Sequence, residues 1–457
     1  MEKVHFYHAL KVVDEVCMGC THCMNVCPTS AIRVKNGKAH INKNACVDCG
    51  ECLKSCPVNA IIVEQDDFNQ IFSYKYRVAL LPTVLLGQFP DEISEDLIVS
   101  VIHDLGFTHV YEVDGAVDIL TQATGEYMEK HHHNRPFISS FCPAVVRLIQ
   151  VKFPALVDHI IPLKPVIDLS ALYYRKKLED QGVSPSEIGV FYVTPCAAKI
   201  AAVKSPVAED EKLINGVINM DFIYNKILLS IKKNKQQKPT ESLACHLSEK
   251  SIGWTLTNGE ASQYKGRCLA IDEIHNVIDI LEKLESDEIC DVDFVELRAC
   301  DHSCAGGVLA TENRFLAIER LRKRGERNKD LANIRSKENG VENYSGFLLD
   351  NLSTKKIEPR SIVKLDEDMR IAMKKMQKVQ RILAVLPGID CGACGAPRCQ
   401  ILAEDVVQGK AKMTQCVFIQ KMLCKENLMS SEESFEISEK TWGINRFGKK
   451  GKKGFNS

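Results

Sequence analysis

Cys17, Cys20 and Cys23 stand three residues apart and are followed by Cys27-Pro28. Cys46, Cys49, Cys52 and Cys56-Pro57 repeat the arrangement 29 residues later. Three thiolates at this spacing, carried on one tight loop, can wrap one face of an iron–sulfide cube, and the fourth cysteine of each run is placed to reach the other cube. The spacing therefore predicts one 4Fe–4S cluster on Cys17, Cys20, Cys23 and Cys56, and a second on Cys46, Cys49, Cys52 and Cys27. Zinc is the alternative occupant, but zinc patterns lack a doubled eight-cysteine run with two prolines. Such cubes carry single electrons and do no bond chemistry, so another part of the chain should use the electrons.

Short strand-like pieces, Ala31–Val34 and Ala60–Val63, follow the two runs and suit the hairpins of a small α+β unit. Residues 10–65 resemble a bacterial two-cluster ferredoxin, which implies a ferredoxin-like domain over about 1–70.

Four further cysteines lie far apart in the middle of the chain. They sit in Phe137–Ala144, Val193–Lys199 and Leu297–Gly307, as Cys142, Cys196, Cys300 and Cys304. Cys142 and Cys196 each stand next to Pro and small residues, at expected strand–turn–helix junctions where a thiolate benefits from backbone N–H groups and a helix N-terminus. Cys300 and Cys304 can ligate one cluster together. Strand-like runs (Tyr76–Leu81, Ile188–Val193, Phe294–Leu297) alternate with helical periodicity (Glu95–Leu105, Ala144–Val151, Asp221–Ile231, Asp272–Leu284). This predicts an α/β domain with parallel strands.

Those three segments resemble the active-site loops of FeFe hydrogenases, over about residues 75–325. The resemblance implies a cube on Cys142, Cys196, Cys300 and Cys304. Cys304 would bridge to a diiron subcluster carrying CO, cyanide and a dithiolate, with Lys199 holding a cyanide. A cationic donor suits an anionic ligand. Cys304 and Lys199 are then the catalytic residues. The sequence also departs from the family. Where active hydrogenases pass protons through a cysteine just before the first ligand, this chain has Phe141. The family's methionines two residues before the second and third ligands are Thr194 and Arg298. The segment Asp118–Thr124 offers no carboxylate where the family usually has an acidic pair. Proton transfer needs a titratable group within hydrogen-bond reach, so the usual path is broken. Kept ligands with a lost relay resemble sensory hydrogenases of low activity, that is, ferredoxin-type hydrogen:acceptor oxidoreductases. The alternative is a hydrogenase-like electron-transfer or interaction protein with 4Fe–4S clusters and no diiron centre.

Cys391, Cys394, Cys399 and Cys416 form C-x2-C-x4-C-x16-C among glycines that allow close backbone approach. This looks like the 4Fe–4S domain of corrinoid iron–sulfur proteins and of some membrane redox complexes, with zinc as the alternative. It implies a small, mostly helical domain over 366–430, after a linker at 326–365 and before a basic flexible tail at 431–457. The intervening helix Gln400–Val407 should fold Cys416 back. The helix expected over Asp366–Leu383 gathers Met369, Ala372, Met373, Met376, Val379, Ile382 and Leu383 on one face, read as core or interface packing.

The remaining signals are weaker. His131–His133 reads as a solvated turn. His302, between two expected ligands, could donate to a cluster sulfur, tune its potential or carry protons. Cys245, Cys268 and Cys290 read as buried thiols, and Cys424 is unassigned. Lys+Arg number 59 against 60 Asp+Glu, so no global charge argues for nucleic acid or an anionic membrane. The longest apolar stretch, Val78–Phe89, is far short of the ~20 residues of a membrane span, and the N-terminus has no secretory pattern. Many thiols without secretion suggest the cytoplasm of an anaerobe. No phosphate loop or dinucleotide fingerprint is present. Four 4Fe–4S clusters, an optional diiron centre and a redox partner (a ferredoxin or a signalling protein, with hydrogen as the small molecule) are the expectation.

Overall fold

The computed structural model describes residues 6–207, 212–233, 247–335, 340–360 and 368–446. Cys245 and the basic run 448–454 lie outside them. The chain divides into two compact units. One joins residues 10–63 to the chain from 360 onward, and the other spans 64–359 with the first nine residues. The ferredoxin-like and C-terminal segments, expected as separate modules, thus share one unit.

In the first unit, β1 (Leu10–Val12), β2 (Ile32–Lys35), β3 (Lys38–Ile41) and β4 (Ile61–Val63) form two antiparallel pairs. β2 turns into β3 through Asn36-Gly37, both left-handed, and β4 pairs with β1. β1 and β3 are too short and too polar at alternate positions to stand out by periodicity. The C-terminal segment contributes the helices Met369–Leu383, Cys399–Val407, Val417–Lys425 and Ser431–Trp442. Val379, Ile382, Leu386, Leu402, Ala403 and Ile419 close its core. Of the methionine face, Met373 and Met376 are exposed, so only the C-terminal end of that helix serves the core.

The flexible tail expected from residue 431 is corrected over its first part. Ser430 and Glu433 form a reciprocal capping box that starts a helix running to Trp442. That helix fastens the C-terminal segment to the ferredoxin-like one. Asn36 and Gly37 N–H donate to the carbonyls of Lys440 and Thr441, and Trp442 Nε1 donates to the Ala393 carbonyl at 3.0 Å. Val34 N–H donates to Gly395 O at 2.8 Å, and Arg33 pairs with Asp405 at 2.7 Å. Gly395 has φ +82°, and a Cβ there would stand 2.3 Å from Val34 O, so only glycine lets the strand approach.

In the second unit, β5 (Tyr76–Leu81), β6 (His109–Glu112), β7 (Phe137–Ile138), β8 (Ile188–Thr194), β9 (Gly216–Asn219), β10 (Cys268–Ile271) and β11 (Phe294–Leu297) form two parallel sheets. Their orders are β6-β5-β8-β9 and β10-β11-β7. Val78–Leu81 and the whole of β8 are buried, the near-continuous apolar run expected of parallel strands covered on both faces. The expected linker from 326 is partly regular: the helix Arg314–Arg335 crosses its start, and Ser345–Asp350 forms a further helix.

The helix Arg314–Arg335 is anchored by a buried cation. Arg324, 3% exposed, meets Glu112 Oε1 at 2.7 Å and Glu95 Oε1 at 2.8 Å. Burial raises the Glu112 pKa and the Arg324 guanidinium works against that rise. Removing one partner strands the other charge in the interior. We therefore expect Arg324→Leu to cost about 3–5 kcal/mol, measured by denaturant unfolding beside Arg327→Leu, whose side chain is mostly exposed.

Candidate metal centres

Cys17, Cys20, Cys23 and Cys56 line one small cavity together with Val34, Ala39 and Ile61. The structure thus brings Cys56, from the second run, beside three cysteines of the first. Burial, followed by the charges of Cys17, Cys20 and Cys56, pushes the Cys23 thiol up to about 12. In the reciprocal set, burial first and Cys27 second push Cys49 up to about 12. Cys52 is raised by burial, Cys49 and Cys27, and Cys46 by burial and Asp48. Buried thiolates crowded like this cannot ionise together without a cation among them. Backbone N–H groups of Ala39, Asp48, Ala31 and Ala60 reach Cys17, Cys46, Cys27 and Cys56 sulfurs at 3.2–3.4 Å.

Cys391, Cys394, Cys399 and Cys416 line a second such cavity with Pro387, Arg398 and Leu402. The helix Cys399–Val407 starts at the third cysteine, and the chain returns to Cys416 behind it. Asp390 accepts from Cys399 N–H at 2.6 Å and so braces the loop. Burial pushes Cys394 up to about 11, with Cys416 and Cys391 adding to the rise. Cys424 lies outside this set, its thiol facing the Ser430 carbonyl at 3.8 Å.

The middle cysteines stand at the carboxyl ends of the parallel strands, where open α/β sheets place their ligands. β7 leads to Cys142, the N-cap of the helix Pro143–Lys152. β8 leads to Cys196, the N-cap of Ala197–Lys204. β11 leads to Cys300 and, through left-handed His302 and Ser303, to Cys304. Gly306 and Gly307 let this last turn close: a Cβ on Gly306 would stand 1.8 Å from Asp301 O, and one on Gly307 2.6 Å from Pro195 O. Leu309 N–H then donates to Pro195 O at 3.0 Å and ties the third loop to the second.

Burial pushes Cys196 up to about 12, with Lys199 opposing and Cys304 and Cys142 adding. Lys199 Nζ lies 3.7 Å from Cys304 Sγ. Burial works against its ammonium, but Cys304, Tyr192 and Cys196 outweigh this and hold its pKa above the ordinary value. Phe141 is buried beside Cys142, and Lys199 Nζ and Arg298 Cζ both lie over its ring, 4.5 and 3.6 Å from the centroid. Phe141 and Lys199 also wall an apolar cavity with Val146, Leu163 and Leu213. Tyr192 Oη, Ser303 Oγ and Arg298 Nη1 are buried without a hydrogen-bond partner among the described residues. Buried polar atoms left unsatisfied on the residues that flank these cysteines suit a bound group, because such atoms are costly unless something meets them.

Other signals resolve differently. His302 faces Asp301, with Nε2 at 3.8 Å, and packs edge-on against Phe315. His131–His133 form an exposed turn after the helix Val117–Lys130. Cys290 is exposed, not buried, and Cys268 is half-buried on β10. Sequence reasoning took Arg298 only as a missing methionine and overlooked Glu260 and Glu296, which hold it. A buried Arg has to be paired, and that was the available signal.

Residues 77–225 match the family model of the iron only hydrogenase large subunit, C-terminal domain. Residues 16–61 match the 4Fe-4S dicluster domain, and 386–418 an Fe-S cluster family. The chain is therefore a hydrogenase-like iron–sulfur protein with a ferredoxin-type dicluster region and a C-terminal Fe–S region. It is similar to the NADP-reducing hydrogenase subunit HndD of Solidesulfovibrio fructosivorans, 24% identical over 227 residues, which are 47% of this chain and 34% of that protein. It is also similar to one component of the ion-translocating oxidoreductase complex of Rhodobacter capsulatus, 50% identical over 38 residues, or 8% of this chain and 20% of that one. The chain spans between about a fifth and a third of the length of the curated relatives it matches. A solved FeFe-hydrogenase HydA1 from Chlamydomonas reinhardtii aligns with TM-score 0.47 and 14% identity, over 62% of this chain and 94% of that one. No described helix is long and apolar enough to cross a membrane.

Proposed function

We propose that this protein passes single electrons among four 4Fe–4S clusters and a hydrogenase-like centre, and that hydrogen is sensed or turned over slowly at that centre. The ligand sets are Cys17, Cys20, Cys23 and Cys56; Cys46, Cys49, Cys52 and Cys27; Cys391, Cys394, Cys399 and Cys416; and Cys142, Cys196, Cys300 and Cys304. Were a diiron centre fitted, Cys304 would help to hold it and Lys199 would donate to its anionic ligand, and the group would supply the chemistry of splitting or forming hydrogen. The carrying observation is Phe141. It is buried beside Cys142 under two cations and cannot titrate, so the residue next to the first ligand moves no proton. Electrons leave to a redox partner, a ferredoxin or a signalling protein, in a reducing compartment such as the cytoplasm.

A second reading, electron transfer without a diiron centre, draws on polar Thr194 and charged Arg298 at the family's two methionine positions. Infrared spectroscopy after supply of the diiron cofactor separates the two. We expect bands of bound CO and cyanide in the loaded protein. Their absence after full maturation, with all the cubes present, leaves the diiron-free reading.

A further inference from the structure

Arg298 is 2% exposed and lies at the end of β11, two residues before Cys300. Its Nη2 meets Glu260 Oε2 at 3.0 Å and its Nε meets Glu296 Oε1 at 3.2 Å. Glu296 is itself fixed by the N–H groups of Asn258, Glu260 and Ala261 at 2.8–3.1 Å. Ser139 Oγ donates to Glu260 Oε2 at 2.6 Å and accepts from Phe141 N–H at 3.2 Å, which ties this network to the loop of Cys142. Two glutamates therefore grip one edge of the guanidinium, the Phe141 ring covers its face, and Nη1 is left buried with no partner among the described residues. The guanidinium is thus held between two of the ligand loops: Arg298 follows β11 and precedes Cys300 by two residues, and its Cζ lies 3.6 Å from the ring centroid of Phe141, the neighbour of Cys142. Two carboxylates around one buried guanidinium would be an expensive way merely to fill space. A thioether would fill the same volume at no electrostatic cost.

We propose that Arg298 is a positioning residue that sets the potential of the cube on Cys142, Cys196, Cys300 and Cys304, acting beside Lys199 as a second fixed cation. This deepens the reading above and rests on its assignment of those four ligands. A fixed cation favours the cube that has gained one electron, because net charge and hydrogen bonds to sulfur tune such potentials. Glu260 and Glu296 hold the guanidinium in place and, both ionised at pH 8, outweigh its single charge, so losing Arg298 leaves two uncompensated carboxylates and neutralising one glutamate leaves a balanced pair. No proton moves in this step.

The test is an EPR-monitored redox titration of the full chain, reconstituted anaerobically with iron and sulfide, at pH 8. In Arg298→Met one of the four midpoints should fall and the other three should stay. Glu260→Gln keeps the shape and the contacts to Ser139 and Arg298 but removes a compensating charge, so the same midpoint should rise. Arg298→Lys, which keeps the charge and loses the fork, should stay near the wild-type value. Opposite shifts at one cube are not what a purely structural role produces. Should Arg298→Met not fold, Glu260→Gln alone decides through the sign of its shift. With about 16 irons bound, unchanged midpoints in the variants overturn the proposal and leave the ligand assignment standing. With about 12 irons and no cube in this domain, both fall together.

Discussion

Cys56→Ala should strip the protein of one cube, about four irons per chain, and the cube lost should be the one on Cys17, Cys20 and Cys23. The prediction follows from the cavity that Cys56 shares with those three residues. A cube bound only by its local run would instead make Cys56→Ala resemble Cys49→Ala. The check is anaerobic iron and sulfide analysis with EPR of the reduced protein. Cys20→Ala and Cys56→Ala should leave the same surviving signals, and Cys49→Ala a different set. The structural cost should be large as well, since metal binding to such small modules is itself folding free energy. The midpoint of denaturant unfolding of this unit should fall in step with the iron lost.

Phe141→Cys should raise hydrogen turnover of diiron-loaded protein by on the order of 10²-fold, the span that a well-placed acid–base group contributes. The new thiol would stand next to Cys142, within the contact sphere of Lys199 and Arg298, whose charges favour the thiolate. The change also removes a buried aromatic ring. Truncating a buried aromatic costs about 3–5 kcal/mol in the alanine case, so turnover has to be normalised to the diiron content read from the infrared bands. Phe141→Ala is the control: it opens the same space without a proton carrier and should give no gain. Equal turnover in the Cys and Ala variants would mean that proton supply does not limit the centre.

The chemistry was legible where it depends on spacing along the chain. The parallel strands and the placement of Cys142 and Cys196 at helix N-caps follow from short-range rules, and the structure has both; it also brings Cys56 beside Cys17, Cys20 and Cys23. What escaped depends on residues far apart in sequence. Glu260, Glu296 and Arg298 form a unit only after the loop 254–263 packs against β11. Arg324 looks like any cation of a highly charged helix until β6 buries Glu112 beneath it. The helix Ser431–Trp442 was hidden by the lysines that follow, although Ser430 and Glu433 stand at capping-box spacing. Its amphipathic pattern is faint because it buries little, with Thr441 as its buried residue.

The bond from Val34 to Gly395 has a bearing on biogenesis. A growing polypeptide leaves the ribosome N-terminus first, at about 5–20 residues per second, so the dicluster module emerges well before the segment that seals the outer rim of its hairpin. Until that segment arrives, Asn36, Gly37 and Val34 present unpaired amides to water, and Arg33 has no Asp405. Such long-range closure is slow to form. Cube insertion into the first module can therefore precede the completion of its own edge, and a nascent chain stalled before residue 395 would hold its first two clusters in an unfinished shell.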